Sequence, residues 1–197
     1  LSTSAFKPLA ASMGPMLKEE AFHLGTGSNG LRRIIKAGVL PLDLLQRYIN
    51  QWAATAHDLF GVDESSSAHW AYVWGVKGRW DERKKLDADI EVSKEKLNEE
   101  ARHHYHEEIV REVRKLCSYL PDDATKLYVP HENFNREIGP YKRQRYTVEG
   151  TQFEGTDSEW DDYVMNHLPT EQDEEDLKEY FKQQWVCLLY TSPSPRD

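Results

Sequence analysis

Apolar side chains recur at helical spacing through most of the first 120 residues, and this periodicity restricts the possible folds more than any other feature. The clearest case begins at Pro41 and ends at Gly61, where apolar residues follow one another three or four positions apart. Proline near the start and glycine past the end are typical of a helix. This helix would bury one face: Leu42, Leu45, Tyr48, Ile49, Trp52, Ala56, Leu59 and Phe60.

The same reasoning predicts further helices on either side. A helix capped by Ser4 spans Phe6–Leu24, with a kink at Gly14-Pro15, and a glycine-rich stretch at positions 25–30 separates it from a short helix over 29–36. Ser65–Ser67 cap an aromatic-rich helix, and a long charged helix covers about 93–119. Residues 1–120 therefore form a predicted helical domain.

The chain changes character after Pro121. Lys126–Val129 and Arg145–Val148 have strand-like composition between Gly and Pro residues, and helices follow near Ser158–His167 and Glu171–Gln184. Residues 121–185 are therefore predicted to be a loop-rich, mixed extension. The last segment, 186–197, contains two prolines in a Ser-rich setting and resembles a translated sequencing adapter or a frayed tail, so it carries no functional argument.

Composition excludes several classes of function. The chain has 34 acidic and 25 basic residues and a net charge of -9, which disfavours a nucleic-acid partner. No apolar run approaches the roughly 20 residues that cross a bilayer, so no membrane association is expected. Two cysteines, Cys117 and Cys187, do not make a disulfide framework, which suggests a reducing, cytoplasmic location. The chain starts at Leu1, and we expect it to be the later part of a longer protein.

Two Glu-x-x-His pairs are the candidate metal ligands, and helical geometry separates them. Glu20 lies at the centre of the stripe formed by Met13, Met16, Leu17 and Leu24, with His23 at its edge, whereas Glu100 and His103 lie about 150° from the apolar stripe of their helix. We therefore expect Glu20 and His23 to face the interior and the second pair to face water.

A carboxylate on an apolar face is costly unless it is paired or bound to a cation. Glu20 and His23 together suit iron or manganese, and Glu-x-x-His is the half-motif of ferritin-like di-iron bundles, in which each such helix is complemented by a carboxylate from a neighbouring helix. The alternative is a structural Glu20, protonated or paired with an arginine, beside a histidine that only packs.

Several other residue groups could suggest functional sites, but a structural interpretation is favoured for each. The His103-His104-x-His106 run lies on a charged helix surface, and the glycines at 25, 27 and 30 fit no nucleotide fingerprint. The basic run Lys142, Arg143 and Arg145 is expected in an exposed loop. Trp70, Tyr72, Trp74 and Trp80 are expected to pack in the core or an interface. No catalytic residue is identified.

Several stretches around Glu20 and His23 resemble the di-iron oxygenases of phenylacetate and benzoate catabolism, with the benzoyl-CoA-epoxidising enzymes the nearest match. Met16–His23 is similar to the last metal-ligand helix of that family. Five further stretches match in the same order: Leu42–Tyr48, Asp58–Gly61, Gly75–Arg79, Phe134–Gly139 and Leu168–Glu171. The resemblance covers almost all of the chain as far as about Trp185.

This resemblance implies the C-terminal part of a ferritin-like helical bundle. Its two irons would activate O2 and insert one oxygen atom into the aromatic ring of a CoA thioester, benzoyl-CoA first, with electrons from a separate flavin and iron–sulfur reductase. Glu20 and His23 would be metal ligands, and the remaining ligands would lie outside this chain, so the chain alone is expected to be inactive. The alternatives are a phenylacetyl-CoA-type oxygenase subunit and a non-enzymatic helical interaction protein.

Overall fold

The computed structural model describes residues 1–2, 4–77 and 96–182, and within them the chain is mainly helical. Its α-helices are α1 (Lys7–Ala37), α2 (Leu42–Asp58), α3 (Ser66–Val73), α4 (Leu97–Cys117), α5 (Asp157–His167) and α6 (Glu171–Lys182), and Gly139–Arg143 form a 3-10 turn. The prediction of a mainly α fold is confirmed. No described helix combines the length and the apolar character that a membrane crossing requires.

The first helix differs from its prediction. Instead of two helices separated by glycines, α1 runs without a break for 31 residues through Gly14, Pro15 and the glycines at 25, 27 and 30. A glycine inside a helix costs only about 1 kcal/mol relative to alanine, so it weakens a helix without ending it. The helix ends at Gly38, which adopts a left-handed conformation with φ 63° and donates to the carbonyls of Ile34 and Ile35.

The predicted caps have mixed outcomes. Ser65 caps α3 as expected, because its hydroxyl accepts a hydrogen bond from the Ala68 amide at 3.1 Å. The prediction that Ser4 caps α1 is wrong. The N-cap residue is Phe6, and the Ser4 hydroxyl accepts a hydrogen bond from the Phe6 amide before the helix begins.

The two predicted strands are wrong. Within the described residues the only sheet-like pairing in this region is an isolated bridge between Tyr146 and Gln152. Instead, each segment contributes one buried apolar residue to the core. Leu127 packs in one apolar cluster and Val148 in another. These two segments are therefore irregular loops that pack on the helices. Trp80 and 186–197 lie outside the described residues.

Two apolar clusters hold the helices together. The first joins the C-terminal part of α1, the start of α2 and the end of α4; its buried members are Ile35, Leu45, Leu116, Leu120 and Leu127. The second places Ala54 of α2 against Phe134 and Val148, with Tyr163 of α5 and Leu168 packed on it. Phe134 is completely buried, and such a side chain contributes roughly 1.5–3 kcal/mol by burial.

A buried ion pair fastens the extension to α2. The Arg136 side chain donates from Nε to Oδ1 of Asp58, and the Glu137 amide donates to Oδ2 of the same carboxylate at 2.6 Å. The Arg136 side chain is 0% exposed. Because a buried guanidinium needs a compensating charge, Asp58 fixes where residues 136–137 lie.

We predict that Asp58→Asn lowers the free energy of unfolding by about 3–5 kcal/mol, since it leaves the buried Arg136 charge uncompensated. The matched control is Asp43→Asn on the same helix, whose carboxylate is exposed and 3.5 Å from Arg47. That change is expected to cost less than about 1 kcal/mol. Urea unfolding of both variants measures the difference, and equal losses would contradict a structural role for the Asp58 pair.

Candidate metal ligands and the buried histidine cluster

Glu20 and His23 lie one turn apart on α1 and next to each other. Oε2 of Glu20 and Nδ1 of His23 are 3.8 Å apart, and their side chains are 70% and 58% exposed. The prediction that they point into the interior is therefore wrong for the described chain. The reason is that no described element packs against this part of α1, where every residue from 14 to 27 is exposed.

Glu20 nevertheless shares a face with residues that are packed elsewhere on α1. On a helical wheel Glu20 lies about 20° from Leu31, which packs on the first apolar cluster together with Ile35. At the other end of the exposed stretch, Met13 is buried. The face that carries Glu20 is thus the packing face of the helix, and its middle is uncovered.

Within the described part of the chain, no three His, Cys, Asp or Glu side chains are arranged to hold a metal ion. Glu20 and His23 present a carboxylate and an imidazole side by side, which are suitable donors for iron. These two residues fit one part of a metal site, and further ligands would have to come from elsewhere.

The second Glu-x-x-His pair is exposed as predicted. The side chain of Glu100 is exposed, and that of His103 is 62% exposed. His103 does not act with Glu100: its Nδ1 donates to Oε1 of Glu132 at 2.6 Å. This hydrogen bond raises the pKa of His103 above its ordinary value. Burial of Glu132 opposes its ionisation, but the bond from His103 and the nearby positive charges outweigh burial and lower the pKa of Glu132.

The structure also reveals a cluster that sequence reasoning missed. His57, at the end of α2, is 0% exposed, and its Nε2 lies 3.3 Å from Nδ1 of His106 on α4, so one of these nitrogens donates to the other. Nδ1 of His57 has no hydrogen-bond partner among the described residues. Arg102 and Glu132 complete the cluster as an ion pair, with Nε of Arg102 3.4 Å from Oε2 of Glu132.

Burial dominates the electrostatics of this cluster. Burial, helped by the positive charge that His106 can carry, lowers the pKa of His57 to about 3. Burial also lowers the pKa of His106, against the influence of Glu132. At neutral pH the His57–His106 contact is therefore a neutral hydrogen bond that joins α2 to α4.

No single sequence signal identifies this cluster. His57 lies about 120° from Leu45 on the helical wheel, away from the apolar stripe, where a polar residue is normally exposed. The nearest signal is the His103-His104-x-His106 run, which the sequence predicts to lie on a charged helix surface; His106 is instead partly buried and contacts His57.

The pH dependence of stability tests the state of His57. A histidine with a pKa of about 6.5 when unfolded and about 3 when folded stabilises the fold fully above pH 6.5. Its contribution falls by about 1.4 kcal/mol per pH unit as the pH drops from 6.5 towards 3. His103, whose pKa is raised, acts in the opposite direction, so the quantity to measure is the difference between wild type and His57→Gln.

We expect the difference in the free energy of unfolding between wild type and His57→Gln to shrink between pH 7 and pH 5, because the variant lacks the titrating group. Urea titrations at several pH values measure it. A difference that stays constant over this range would show that His57 is not held neutral. Gln51→Ala, an exposed change on the same helix that removes no titrating group, is the control and should leave the pH profile unchanged.

Comparison with known proteins finds sequence similarity to a protein named as an oxygenase component. No protein-family model matches the chain. The chain is similar to a protein named benzoyl-CoA oxygenase component B from Aromatoleum evansii, with 30% identity over 215 aligned residues. The aligned region covers 88% of this chain but 45% of that protein. The chain thus spans a little under half the length of its curated relative, to which it is related by sequence along most of its own length.

Proposed function

We propose that this chain is part of a di-iron oxygenase subunit that acts on the aromatic ring of a CoA thioester, with benzoyl-CoA as the first candidate. The observation that carries the proposal is the position of Glu20 and His23 on a helix face that is packed at both ends and uncovered where these ligands lie. The similarity to a benzoyl-CoA oxygenase component supports it.

In this proposal Glu20 and His23 would hold one iron of the centre, and the other ligands would come from residues outside this chain. A di-iron centre held by these residues would supply O2 activation. The residues of this chain would contribute a carboxylate and an imidazole one turn apart, at a spacing that an α-helix maintains.

The protein around these ligands must also keep water away from them. As the described chain stands, Glu20 and His23 face solvent, so α1 needs covering helices before the site can exclude water. Met16, Leu17 and Leu24 flank Glu20, and they would line the dry side of the site once covered. Electrons would come from a flavin and iron–sulfur reductase, and epoxidation of the ring is the proposed reaction in a cytoplasmic enzyme.

Two alternatives have different consequences. A phenylacetyl-CoA-type subunit would have the same metal site, and turnover with each thioester separates the two. A non-enzymatic interaction protein would carry no iron, and metal analysis of the full-length protein identifies it.

We predict that Glu20→Ala or His23→Ala in the full-length protein lowers iron affinity by at least about tenfold and abolishes turnover, since each change removes a ligand. Helical content by circular dichroism should be unchanged, because alanine is the strongest helix former and each change removes a single side chain of α1. Glu100→Ala is the matched control from the second Glu-x-x-His pair and should retain iron. Full iron content in both ligand variants would refute the assignment.

We also predict that the 197-residue chain by itself neither binds two irons nor oxygenates a CoA thioester, because the described residues supply only a Glu20–His23 half-site. Iron analysis and a reductase-driven assay with benzoyl-CoA test this. Stoichiometric iron and ring oxygenation by the chain alone would mean that it contains a complete site.

A further inference from the structure

The helix that carries Glu20 is basic, whereas the chain as a whole is acidic. α1 contains five basic and two acidic side chains, a net charge of +3, so the rest of the chain carries a net charge of -12. Four of the basic residues form what we name the basic face of α1: Lys18, Arg32, Arg33 and Lys36. All four side chains are exposed.

The basic face lies on the outer side of the helix. Lys18 and Lys36 have the same direction on the helical wheel, and the two arginines lie within about 60° of it. This direction is about 140° from Leu31, which packs on the first apolar cluster. Helices that pack on the Leu31 side of α1 would therefore leave the basic face accessible.

The charges of the basic face are not neutralised by neighbouring carboxylates. Among the residues that the structure describes, no Asp or Glu forms an ion pair with any of the four. On α4, by contrast, Arg111 and Lys115 each pair with a glutamate one turn earlier, at 3.7 and 2.6 Å. A row of unpaired cations on an acidic chain creates a local positive potential that attracts a negatively charged partner.

A contact with Tyr119 concentrates the positive charge at one end of the basic face. Nζ of Lys36 lies 4.7 Å and Cζ of Arg32 lies 6.0 Å from the centre of the Tyr119 ring, just beyond the end of α4. Attraction to the ring holds the two cations near each other in spite of their mutual repulsion. An anionic surface that approaches this end meets both charges at once.

We propose that the basic face of α1 is the docking site for the acidic surface of a protein that donates electrons to the iron site. This inference rests on the proposed function and names the surface through which its electron donor binds. Lys18 lies two residues from Glu20 but about 160° around the helix. A protein on the basic face is thus separated from the candidate ligands by roughly the 10 Å diameter of one helix. Electrons tunnel through protein over that distance.

The size of the basic face also fits a protein partner. From Lys18 to Lys36 it is about 27 Å long, at a rise of 1.5 Å per residue. That length is comparable to the width of one partner's share of a standard interface, which is about 800 Å².

Other anionic partners fit less well. A nucleic acid would be repelled by the net charge of -12 on the rest of the chain. A second copy of this chain would have to dock its acidic helix α6 on the basic face. Such a head-to-tail contact builds open chains unless its rotation closes a ring. A separate acidic protein meets neither obstacle.

The test delivers electrons to the full-length protein from two sources, the flavin and iron–sulfur reductase and dithionite, which is too small to need a docking site. The double variant Lys18→Gln/Arg33→Gln removes two charges of the basic face and leaves both Tyr119 contacts in place. The matched control Lys142→Gln/Arg143→Gln removes two charges from the exposed 3-10 turn. Circular dichroism confirms that each variant keeps its helices.

The quantity to compare is the ratio of the reductase-driven rate to the dithionite-driven rate at subsaturating reductase, because it removes any effect on the iron site itself. We expect this ratio to fall about fivefold or more in Lys18→Gln/Arg33→Gln at low ionic strength, since steering by charge accelerates association. The fall should disappear at high ionic strength, where exposed charges are screened. The control variant should keep the wild-type ratio.

Four results would overturn the inference. The ratio could be unchanged in Lys18→Gln/Arg33→Gln, or it could fall equally in the control. The double variant could raise the KM for benzoyl-CoA without changing the dependence on reductase, which would assign the basic face to the phosphates of the substrate. The protein could also form a salt-sensitive dimer that the double variant abolishes, which would make a second copy the occupant.

The wild-type protein separates this inference from the proposed function. Wild-type protein that holds no iron and gives no turnover with dithionite would refute the proposed function, and the docking site with it. Iron and dithionite-driven turnover, together with a reductase dependence that ignores the charges of the basic face, would refute the docking site alone.

Discussion

The structure depends on one constraint: α1 is held by contacts at both ends, and its middle is exposed to solvent. Its C-terminal part packs through Ile35 on α2 and α4, and just before its N-terminus the Ala5 amide donates to the Gly75 carbonyl beyond α3 at 2.7 Å. The stretch between them is exposed on every side and contains Pro15 and several glycines. A helix of that composition gains little stability from propensity alone, so packing by other helices must supply it.

The rest of the described fold is held by contacts within the chain. The C-terminal extension is fixed to α2 by specific polar contacts rather than by a sheet. Asp58 binds Arg136, and Arg47 donates from one nitrogen to both oxygens of Asp173 at 2.8 Å. Thr170 forms the cap of α6 with the same Asp173. These contacts explain the polar buried side of α2.

The sequence predicts the helices well because their apolar periods and caps are local. It fails at the glycines of α1, where the cost of a glycine is too small to decide between a break and a continuous helix. The prediction of two strands fails, since a short apolar run can pack on a helical core as a loop just as well as it can form a strand. The exposure of Glu20 could not be predicted, because it depends on what covers α1. The His57–His106 contact could not be predicted either, since it joins residues 49 positions apart.

Amide hydrogen exchange of residues 14–27 tests most directly whether α1 depends on covering helices. The uncovered middle of α1 should exchange fast in the 197-residue chain, far faster than α4, because few contacts oppose its local opening. In a protein that also carries the helices proposed to cover α1, the same amides should become protected to the level of α4. Strong protection of residues 14–27 in the chain alone would contradict that dependence, because it would show that α1 is stable without any covering helix.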